Sequence, residues 1–597
     1  MRFSSSRVRY GIAGALAAAL ALAAGELIAG LSPASVSLTE AVGGLAIDYV
    51  PPPVKDFAIA VFGIYDKLAL IIGMVVVTVA LGLLVGMWAA RQWAVALWVF
   101  GLFGLLGAFS LSREPGINWL ASIATAAVAA AVALVVLRIL YRLIGGFAVR
   151  PFVRTGRIRD LRMVHRQIVG PAPGAGEATV LDSEDAQAQV VEVVEETEAP
   201  GDLTRRKFLV GAGAVLGLGV AMGAGGRFML ERTKRALAGR ETVVLPQVTE
   251  TTASTGAPTT IAASPSTTAA EAQTTTTAEA TTTTTGPTVD GAGPLPAGHS
   301  LDVPGISPII TPNEDFYLID TALSPPQVNL EEWTLKVTGL VENPYEITFQ
   351  ELLTRPFVER YVTLSCVSNS VGGSLVGHAK WLGVPLSVIL DEAGLRPEAE
   401  QIVGRSVDGF TVGFPSTIPY DGRDALVAVG MNDEPLPIEH GFPVRLVVAG
   451  LYGYVSATKW LSELELTTWD GFDAYWVPRG WAKEAPVKTQ SRIDTPRDGQ
   501  IAAGPRAIAG VAWAPHRGVD RVEVKIGNGP WIDAELSSEI SDNSWRQWQL
   551  AWDPEPGRYK LRVRATDGEG VTQTDIRRPP APDGATGYHT IDVTVNA

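Results

Sequence analysis

The chain has 597 residues, of which 47% are hydrophobic and 18% charged, and its formal net charge is −14. This length allows two or three domains, and the apolar excess indicates membrane segments beside globular ones. The negative charge argues against nucleic acid as a partner, because no basic face is available for phosphates. The single cysteine, Cys366, excludes an intrachain disulfide and any zinc or iron–sulfur site built from several cysteines.

Four apolar spans open the chain, at 10–31, 66–88, 93–111 and 118–144. Each has about the 20 residues that a helix needs to cross a bilayer. Arginines precede the first span, separate the second from the third and follow the fourth, whereas the loops between the other ends carry only Lys55 and Arg113. The positive-inside rule therefore predicts an all-α, four-helix transmembrane region over residues 1–145, with both ends in the cytoplasm.

A polar, partly acidic cytoplasmic loop is predicted over 146–207. It ends in Arg205-Arg206-Lys207-Phe208-Leu209, and a Gly/Ala-rich apolar stretch follows to residue 226. Together with the arginines before it, the segment 208–226 resembles a twin-arginine export signal. The alternative is a fifth transmembrane helix. Both interpretations place the rest of the chain outside the cytoplasm. Residues 250–288 are of low complexity, with runs of threonine, and a Thr-rich extracytoplasmic linker is predicted over 227–300.

The remainder divides into two globular parts. Residues 301–495 mix a helix at Pro385–Ala393 with strands, which is typical of an α+β domain. The strands are predicted at Trp333–Gly339, Glu359–Cys366 and Val444–Gly450. Residues 496–597 contain short strands separated by Gly/Pro/Asp turns, which predicts a β-sandwich of immunoglobulin-like size. These strands are predicted at Ala507–Ala514, Val519–Ile526, Trp545–Trp552 and Arg558–Thr566.

The lone cysteine follows an apolar run rich in β-branched residues, which predicts a buried strand, and it precedes a Gly-rich loop. It therefore either packs as a small hydrophobic side chain or has a reactive or ligand-binding role. Other motifs surround it in chain order: Ile310-Thr311-Pro312-Asn313-Glu314-Asp315-Phe316-Tyr317, Ser406-Val407-Asp408, His440-Gly441-Phe442-Pro443-Val444-Arg445 and Ala457-Thr458-Lys459-Trp460-Leu461. Together, over residues 301–597, they resemble the sulfite oxidase family. The resemblance implies an α+β molybdopterin domain followed by an immunoglobulin-like dimerisation domain, and hence a homodimer.

The resemblance also implies a molybdenum–molybdopterin cofactor, with the Cys366 thiolate as a ligand of molybdenum, since soft thiolates suit such metals. The residues that it places around the cofactor are Asp408, His440, Arg445, Thr458 and Lys459. Arg445 and Lys459 are expected to donate to the phosphate and the pterin. Tyr475 falls near the family's active-site tyrosine, where a phenol donates a hydrogen bond to the oxygen being transferred. The alternative for Tyr475 is an aromatic core cluster with its tryptophan neighbours.

The sequence departs from the family where sulfite would bind. Arginines follow the cysteine and the Phe-Tyr pair in sulfite oxidases, but here those places hold Ser368-Asn369-Ser370-Val371 and Ile319-Asp320-Thr321. Arg517, in the predicted β-sandwich, is a candidate to reach the pocket in place of the missing arginines. We therefore expect a molybdenum-dependent oxidoreductase performing two-electron oxygen-atom transfer, in either direction, on a small sulfur or nitrogen oxo compound. A catalytically inactive binding or envelope-assembly module is the alternative.

The apolar spans contain no histidine, so they cannot hold a haem between two imidazoles. We therefore expect electrons to pass to or from a separate cytochrome, cupredoxin or quinone protein.

Overall fold

The computed structural model describes residues 5–31, 37–50, 54, 61–62, 66–113, 119–145, 201–246 and 289–597. Two compact units are present: one consists of Met1–Leu27, Gly73–Ala108 and Ile123–Gly226, and the other of Ile28–Ile72, Phe109–Ser122 and Arg227–Ala597. Most of the predicted cytoplasmic loop, 146–200, lies outside the described residues. The same is true of residues 247–288, which include the Thr-rich part of the predicted linker.

Within the described N-terminal ranges, the helices with complete bounds are α1 (Ser5–Leu31), α2 (Leu38–Tyr49), α3 (Asp66–Ala89), α4 (Trp93–Ser112), α5 (Trp119–Gly145) and α6 (Gly201–Ala238). All except α2 contain a stretch that is long and apolar enough to cross a membrane. The four predicted spans are therefore confirmed as helices of membrane-crossing length.

Helix α6 is longer than the predicted segment 208–226. It contains the arginine pair in its first turns and continues to Ala238, so the first part of the predicted linker is helical. The stretch 227–238 is rich in Arg, Lys, Glu and Leu, which favour helix, and no proline interrupts it. The helix ends where Gly239 adopts a left-handed conformation (φ 64°), as glycines commonly do after a helix C-terminus. The export signal stays a prediction.

Helices α1 and α3 approach closely through glycines. A Cβ added to Gly14 would lie 2.1 Å from the Gly82 carbonyl oxygen, and one added to Gly86 would lie 2.3 Å from the Tyr10 carbonyl oxygen. Small residues allow such backbone contact between membrane helices, where apolar burial alone gives little driving force.

Two sheets form the first globular region. The first sheet has the order β1-β4-β5-β8-β10, with β9 beside β8, and the second has the order β3-β2-β11-β6-β7. The strands are β1 (Val289–Asp290), β2 (Thr334–Gly339), β3 (Tyr345–Thr348), β4 (Phe357–Ser365), β5 (Val376–Pro385), β6 (Gln401–Ser406), β7 (Thr411–Pro415), β8 (Ala425–Met431), β9 (Glu434–Pro435), β10 (Arg445–Val448) and β11 (Leu461–Thr467). Short helices follow β3, β5 and β10: α7 (Phe349–Leu352), α8 (Leu386–Ala393) and α9 (Gly453–Ser456). The predicted α+β layout is confirmed, with these strand bounds within two residues of the prediction.

One apolar core joins both sheets. Val384 and Val427 from the first sheet and Val337 and Leu464 from the second are completely buried in it. A second cluster, around Trp381 on β5, lies on the opposite side of the first sheet. Because β5 is buried on both faces, its side chains are apolar at nearly every position rather than alternating.

The C-terminal region is rich in β-structure, as predicted. Its two sheets have the orders β12-β14-β18-β17 and β13-β20-β19-β15-β16. The strands are β12 (Gln490–Thr495), β13 (Gly499–Ala502), β14 (Arg506–Trp513), β15 (Val519–Ile526), β16 (Trp531–Asp533), β17 (Glu535–Leu536), β18 (Arg546–Trp552), β19 (Gly557–Asp567) and β20 (His589–Asn596). Alternate residues of β15 and β19, such as Val522 and Val563, are buried in a separate core between the sheets.

Buried hydrogen bonds join this region to the first one. His378 on β5 bonds through Nδ1 to the Ile309 carbonyl oxygen at 2.6 Å and through Nε2 to Ser544 Oγ at 3.1 Å. The Trp545 indole also donates to the Ile309 carbonyl, at 2.9 Å, and its backbone N–H donates to Thr363 Oγ1 at 2.8 Å. The two β-rich regions therefore share a buried, hydrogen-bonded boundary.

Candidate active site

A pocket lies where strand ends of the two sheets of the first region meet. Cys366 directly follows β4, Ser406 ends β6, Arg445 begins β10, and Lys459 lies two residues before β11. The pocket encloses about 730 Å³, its open mouth included, and these four residues line it. The remaining lining residues are Phe316, Tyr317, Ile319, Asp320, Thr321, Asp408, Phe410, Gly453, Tyr454, Ala457, Trp460 and Trp476.

The Cys366 thiol lies on the pocket wall and is 7% exposed. Its backbone is fixed by a hydrogen bond from its N–H to the Leu375 carbonyl oxygen at 3.0 Å. Burial raises the pKa of the thiol, while hydrogen bonds from Ser368 and the charge of Lys459 partly oppose the shift. A thiol in such a place stays protonated until a metal or another cation stabilises the thiolate.

Arg445 is a buried cation, 4% exposed, and it lines the same pocket. Its Nη1 donates to the His440 carbonyl oxygen at 3.1 Å and its Nε donates to its neighbour's carbonyl oxygen at 3.3 Å. No carboxylate among the described residues pairs with it, and burial lowers the pKa of the guanidinium to about 10. A buried, carboxylate-free arginine is suited to an anionic ligand.

Lys459 and Asp320 form an ion pair on the pocket wall, with 2.9 Å between Nζ and Oδ2. Burial alone would raise the pKa of the Asp320 carboxyl, but the ammonium groups of Lys459 and Lys67 outweigh it and hold the pKa below its ordinary value. Burial lowers the pKa of Lys459, and Asp320 only partly opposes that shift. The partner charges outweigh burial for Asp320 but not for Lys459. Asp320 lies between two ammonium groups, whereas Lys459 has one carboxylate partner and is also opposed by the charges of Arg445 and Lys67.

Asp408 lines the pocket from the turn after β6. Its Oδ1 accepts a hydrogen bond from the Phe410 N–H at 3.1 Å, and Gly409 between them has a φ of 85°. It is therefore both a turn residue and a wall residue. Burial raises the pKa of its carboxyl, with hydrogen bonds from Ser406 and Phe410 opposing.

His440 and Thr458 lie behind the pocket rather than on its wall. His440 is 3% exposed, and its Nε2 bonds to the Asn313 carbonyl oxygen at 2.8 Å. Its Nδ1 is buried without a hydrogen-bond partner among the described residues, and burial lowers the pKa of the ring to about 4. Thr458 is completely buried, and its carbonyl oxygen accepts from the Leu446 N–H at 2.9 Å. This bond fixes the segment before Lys459 against β10.

Tyr475 contacts the aromatic wall of the pocket from behind. Its ring lies 5.5 Å from that of Phe410 and 5.2 Å from that of Trp476, both of which line the pocket. Arg479 stacks on the Tyr475 ring, with Cζ 3.7 Å from its centroid. The aromatic cluster that we considered for this region is thus formed, and an active-site role for Tyr475 stays a prediction.

The structure adds residues that the sequence did not single out. Tyr317 lines the pocket with its ring stacked on Phe316, and desolvation raises the pKa of its hydroxyl. Both residues end the opening motif Ile310–Tyr317, so the sequence pointed to this stretch without assigning either residue a role. Ile319, Asp320 and Thr321 also line the pocket, so the positions that depart from the family form its wall. Arg517 does not line it, because Asp567 holds Arg517 at 3.0 Å.

Comparisons with known proteins identify the domain that contains this pocket. Residues 322–476 match the family model described as the oxidoreductase molybdopterin-binding domain. Mitochondrial sulfite oxidase of Homo sapiens is 28% identical over 320 residues, which are 45% of this chain and 58% of that protein. The chain thus spans little more than half of that relative's length. The crystal structure of the sulfane dehydrogenase SoxCD from Paracoccus pantotrophus matches at 24% identity with a TM-score of 0.43, covering 49% of this chain and 85% of that one.

A shorter relative is covered almost completely. The uncharacterized oxidoreductase YuiH of Bacillus subtilis (strain 168) is 30% identical over 176 residues, which are 29% of this chain and 85% of that protein. The pocket residues Cys366, Asp408, Arg445 and Lys459 all lie inside the matched domain. From the matched domain and this relative, we conclude that the chain belongs to the sulfite oxidase family of molybdopterin-dependent oxidoreductases.

Proposed function

We propose that the protein is a membrane-anchored, extracytoplasmic oxidoreductase that transfers an oxygen atom to or from a small sulfur or nitrogen oxo compound in this pocket. The observation that carries the proposal is that the Cys366 thiol and the buried Arg445 guanidinium line the same pocket, and that Arg445 lacks a carboxylate partner among the described residues. One group suits a soft metal, and the other suits an anionic part of the same ligand.

The family implies a molybdenum–molybdopterin cofactor, and the pocket residues fit it. The Cys366 thiol and the Arg445 guanidinium, both on the pocket lining, offer a soft metal ligand and an anion-binding group. Behind the lining, the buried His440 Nδ1 has no partner within the described part of the chain, as fits a polar group that a ligand would complete. In this proposal Cys366 is the metal ligand, Arg445 and Lys459 bind the anionic groups, and Asp408, His440 and Thr458 bind or position the rest. When bound, the cofactor supplies the two-electron redox chemistry.

The protein's own residues would shape the reaction space. Phe410 and Trp476 form an apolar side of the pocket, which limits water around the reacting atoms. Tyr317, on the wall, and Tyr475, behind it, are the candidate hydroxyl donors to the transferred oxygen. Oxidation adds one oxygen atom from water to the substrate and releases two protons and two electrons, and reduction is the reverse. The electrons require a separate redox protein, for which we propose a cytochrome, cupredoxin or quinone protein.

The orientation that we propose has the N-terminus inside and five crossings, with α6 as the last. The loops expected outside belong to Ile28–Ile72 and Phe109–Ser122, and both segments share one compact unit with Arg227–Ala597. The segments expected in the membrane or inside form the other unit. This grouping supports a multi-pass protein with its oxidoreductase domain outside the cytoplasm, since the loops expected outside belong to the same compact unit as that domain.

For the C-terminal region we propose an immunoglobulin-like sandwich that forms a homodimer. Two mainly antiparallel sheets of four and five strands around a common core support the sandwich. The dimer rests on the family resemblance.

The proposed function is tested by the molybdenum content of the full-length protein, purified in detergent from a host that makes molybdopterin. We expect close to one molybdenum per chain, and at least a tenfold loss in Cys366→Ser with folding preserved. Ser365→Ala is the matched control, because Ser365 is its buried neighbour on β4 but does not line the pocket. Metal-free wild-type protein, or full metal content in Cys366→Ser, would contradict the proposal.

A further inference from the structure

The loop that begins at Cys366 is closed by its own hydrogen bonds. The Cys366 N–H donates to the Leu375 carbonyl oxygen at 3.0 Å, and the Cys366 carbonyl oxygen accepts from the Asn369 N–H at 3.0 Å. The Asn369 side chain crosses the loop, since its Oδ1 accepts from the Leu375 N–H at 2.9 Å. We call residues 366–375 the cysteine loop. Because these bonds join its two ends, a shift of its far side is transmitted to the cysteine.

The C-terminal region contacts the far side of this loop at two places. Arg492 on β12 donates from Nη1 to the Gly373 carbonyl oxygen at 2.8 Å. His589 on β20 has its ring against Gly372, where an added Cβ would lie 2.2 Å from the ring carbon Cδ2 and 2.3 Å from Nε2. Gly372 has a φ of 79° and no side chain to displace the ring. Strands β12 and β20 therefore hold two consecutive glycines of the cysteine loop.

We propose that His589 and Arg492 are positioning residues, which hold the cysteine loop so that the Cys366 sulfur is preorganised as a metal ligand. The C-terminal region then contributes to cofactor binding as well as to the proposed dimer. This inference rests on the proposed function of Cys366. It goes further because it names residues outside the matched domain, 322–476, on which that function depends.

Both side chains that contact the loop are themselves held in place. Arg492 donates from Nε to Asp494 Oδ1 at 2.6 Å and from Nη2 to Ser307 Oγ at 2.8 Å, and its ion pair with Asp494 is largely buried. The His589 Nδ1 accepts from the Ile493 N–H at 2.9 Å, which fixes the orientation of the ring. A metal-binding loop keeps its geometry when the groups that support it are fixed in turn. Arg492 and His589 meet this condition.

His589 makes two contacts that can be separated. Its Nδ1 satisfies a backbone N–H of β12, which stabilises the C-terminal region, whereas the other side of its ring supports the cysteine loop. Asparagine can present an oxygen near the Nδ1 position but has no ring. Phenylalanine keeps the ring but leaves the Ile493 N–H without its acceptor, which costs stability. The variants His589→Asn and His589→Phe therefore distinguish a positioning role from a purely structural one.

The test is the rate at which iodoacetamide alkylates Cys366 in the full-length, cofactor-free protein, purified in detergent from a host that cannot make molybdopterin. Cys366 is the only cysteine of the chain, so the reaction reports on this loop alone. We expect His589→Asn to react about fivefold faster than the wild type at a similar unfolding midpoint, because its loop opens more easily. His589→Phe should react within about twofold of the wild type although its unfolding midpoint is lower.

Arg492 is replaced together with Asp494, because removing one member of the pair would leave a buried charge without its partner. Arg492→Met with Asp494→Asn should raise the alkylation rate about fivefold. Arg564→Met with Glu523→Gln is the matched control, since it removes an ion pair of the same region, between β19 and β15. The control should react like the wild type.

Molybdenum content is measured on the same variants from a host that makes molybdopterin. His589→Asn and the Arg492 double variant should both retain less metal than the wild type, and undiminished metal in both would overturn the link to the metal. A wild-type alkylation rate in either would exclude the residue that it removes. Faster alkylation of His589→Phe than of His589→Asn, in step with a lower unfolding midpoint, would show a structural role and overturn the proposal.

Should His589→Asn fail to accumulate, the Arg492 double variant and its matched control decide. A metal-free wild type would refute the proposed function of the pocket. The alkylation rates are measured without any metal, so they confirm or refute the positioning role in either case.

Discussion

The guanidinium of Arg445 lies over the indole of Trp381, with 4.9 Å between Cζ and the ring centroid. Trp381 is completely buried on β5, and its Nε1 donates to the Val362 carbonyl oxygen at 3.3 Å. The aromatic face compensates part of the cost of burying the cation, because its quadrupole attracts positive charge. The remaining cost is visible in the pKa of Arg445, which burial lowers to about 10. A cation buried at such a cost is suited to binding an anion.

We therefore expect Arg445→Met to separate cofactor retention from stability. Loss of a charge-assisted contact to the cofactor phosphate should reduce molybdopterin content at least tenfold, measured as the fluorescent pterin released by acid oxidation. The unfolding free energy of the cofactor-free protein should fall by no more than about 1 kcal/mol, because an apolar replacement of a buried charge is often neutral or stabilising. Arg405→Met, which removes an arginine paired with Glu465 outside the pocket, is the control. Normal pterin content in Arg445→Met would exclude the phosphate role.

Much of this pocket was visible in the sequence, since its parts lie in short motifs at strand ends. Cys366, Asp408, Arg445 and Lys459 each adjoin a strand whose apolar pattern is strong, and β15 has the bounds that its alternation predicts. Asp320 was noted only as a departure from the family, and Lys67 had no signal at all. They are 253 positions apart, and neither lies in a periodic pattern that would bring them together.

Tyr475 marks another limit of the sequence. Tyr475 and Trp476 are adjacent and both aromatic, but only Trp476 lines the pocket. The backbone N–H of Tyr475 donates to Thr411 Oγ1 at 3.0 Å, a contact distant in sequence that no local pattern indicates. The length of α6 was also not predicted from the sequence. Its last turns, up to Ala238, have the low hydropathy of a polar linker, although their residues have a high helix propensity.

The arginine pair before α6 allows the two interpretations of this segment to be separated. Changing Arg205 and Arg206 together to lysine keeps the positive charge that orients an ordinary transmembrane helix. If the segment is a twin-arginine signal, the double variant should leave the domain of residues 289–597 inside, protected from protease added to intact spheroplasts. If it is only a helix, the domain should remain accessible. Arg7→Lys with Arg9→Lys is the matched control, and it should change nothing in either case.

Gly377 on β5 makes room for Phe316 on the pocket wall. A Cβ added to Gly377 would lie 2.6 Å from Phe316 Cε2, far inside van der Waals contact. We expect Gly377→Ala to displace that ring and to cost about 1–3 kcal/mol of unfolding free energy, as overpacking of a core does. Since Phe316 stacks on Tyr317 at 5.2 Å, cofactor retention should fall as well.

The control for Gly377→Ala is Gly557→Ala at the start of β19, where no atom would come closer than 3.5 Å to the new Cβ. Its unfolding midpoint and pterin content should match those of the wild type. Equal stability of Gly377→Ala and the wild type would show that the ring relaxes without cost.

The last prediction concerns His378, at the boundary between the two β-rich regions. Complete burial lowers its pKa to about 4, although its hydrogen bond to the Ile309 carbonyl oxygen opposes the shift. Between about pH 6.5 and pH 4 the unfolded chain binds a proton at His378 that the folded chain does not. The free energy of unfolding therefore falls as the pH falls through this window, by at most about 3 kcal/mol from this residue.

His378→Gln removes this titration. The variant is expected to be less stable than the wild type at pH 7.5, because the bonds to Ile309 and Ser544 are disturbed, but its unfolding midpoint should fall less steeply toward pH 4.5. His299→Gln, at a partly exposed site, should keep the wild-type slope. Parallel curves for His378→Gln and the wild type would mean that another group is responsible for the acid sensitivity. The buried His440, whose pKa is also lowered to about 4, is the next to examine by the same comparison.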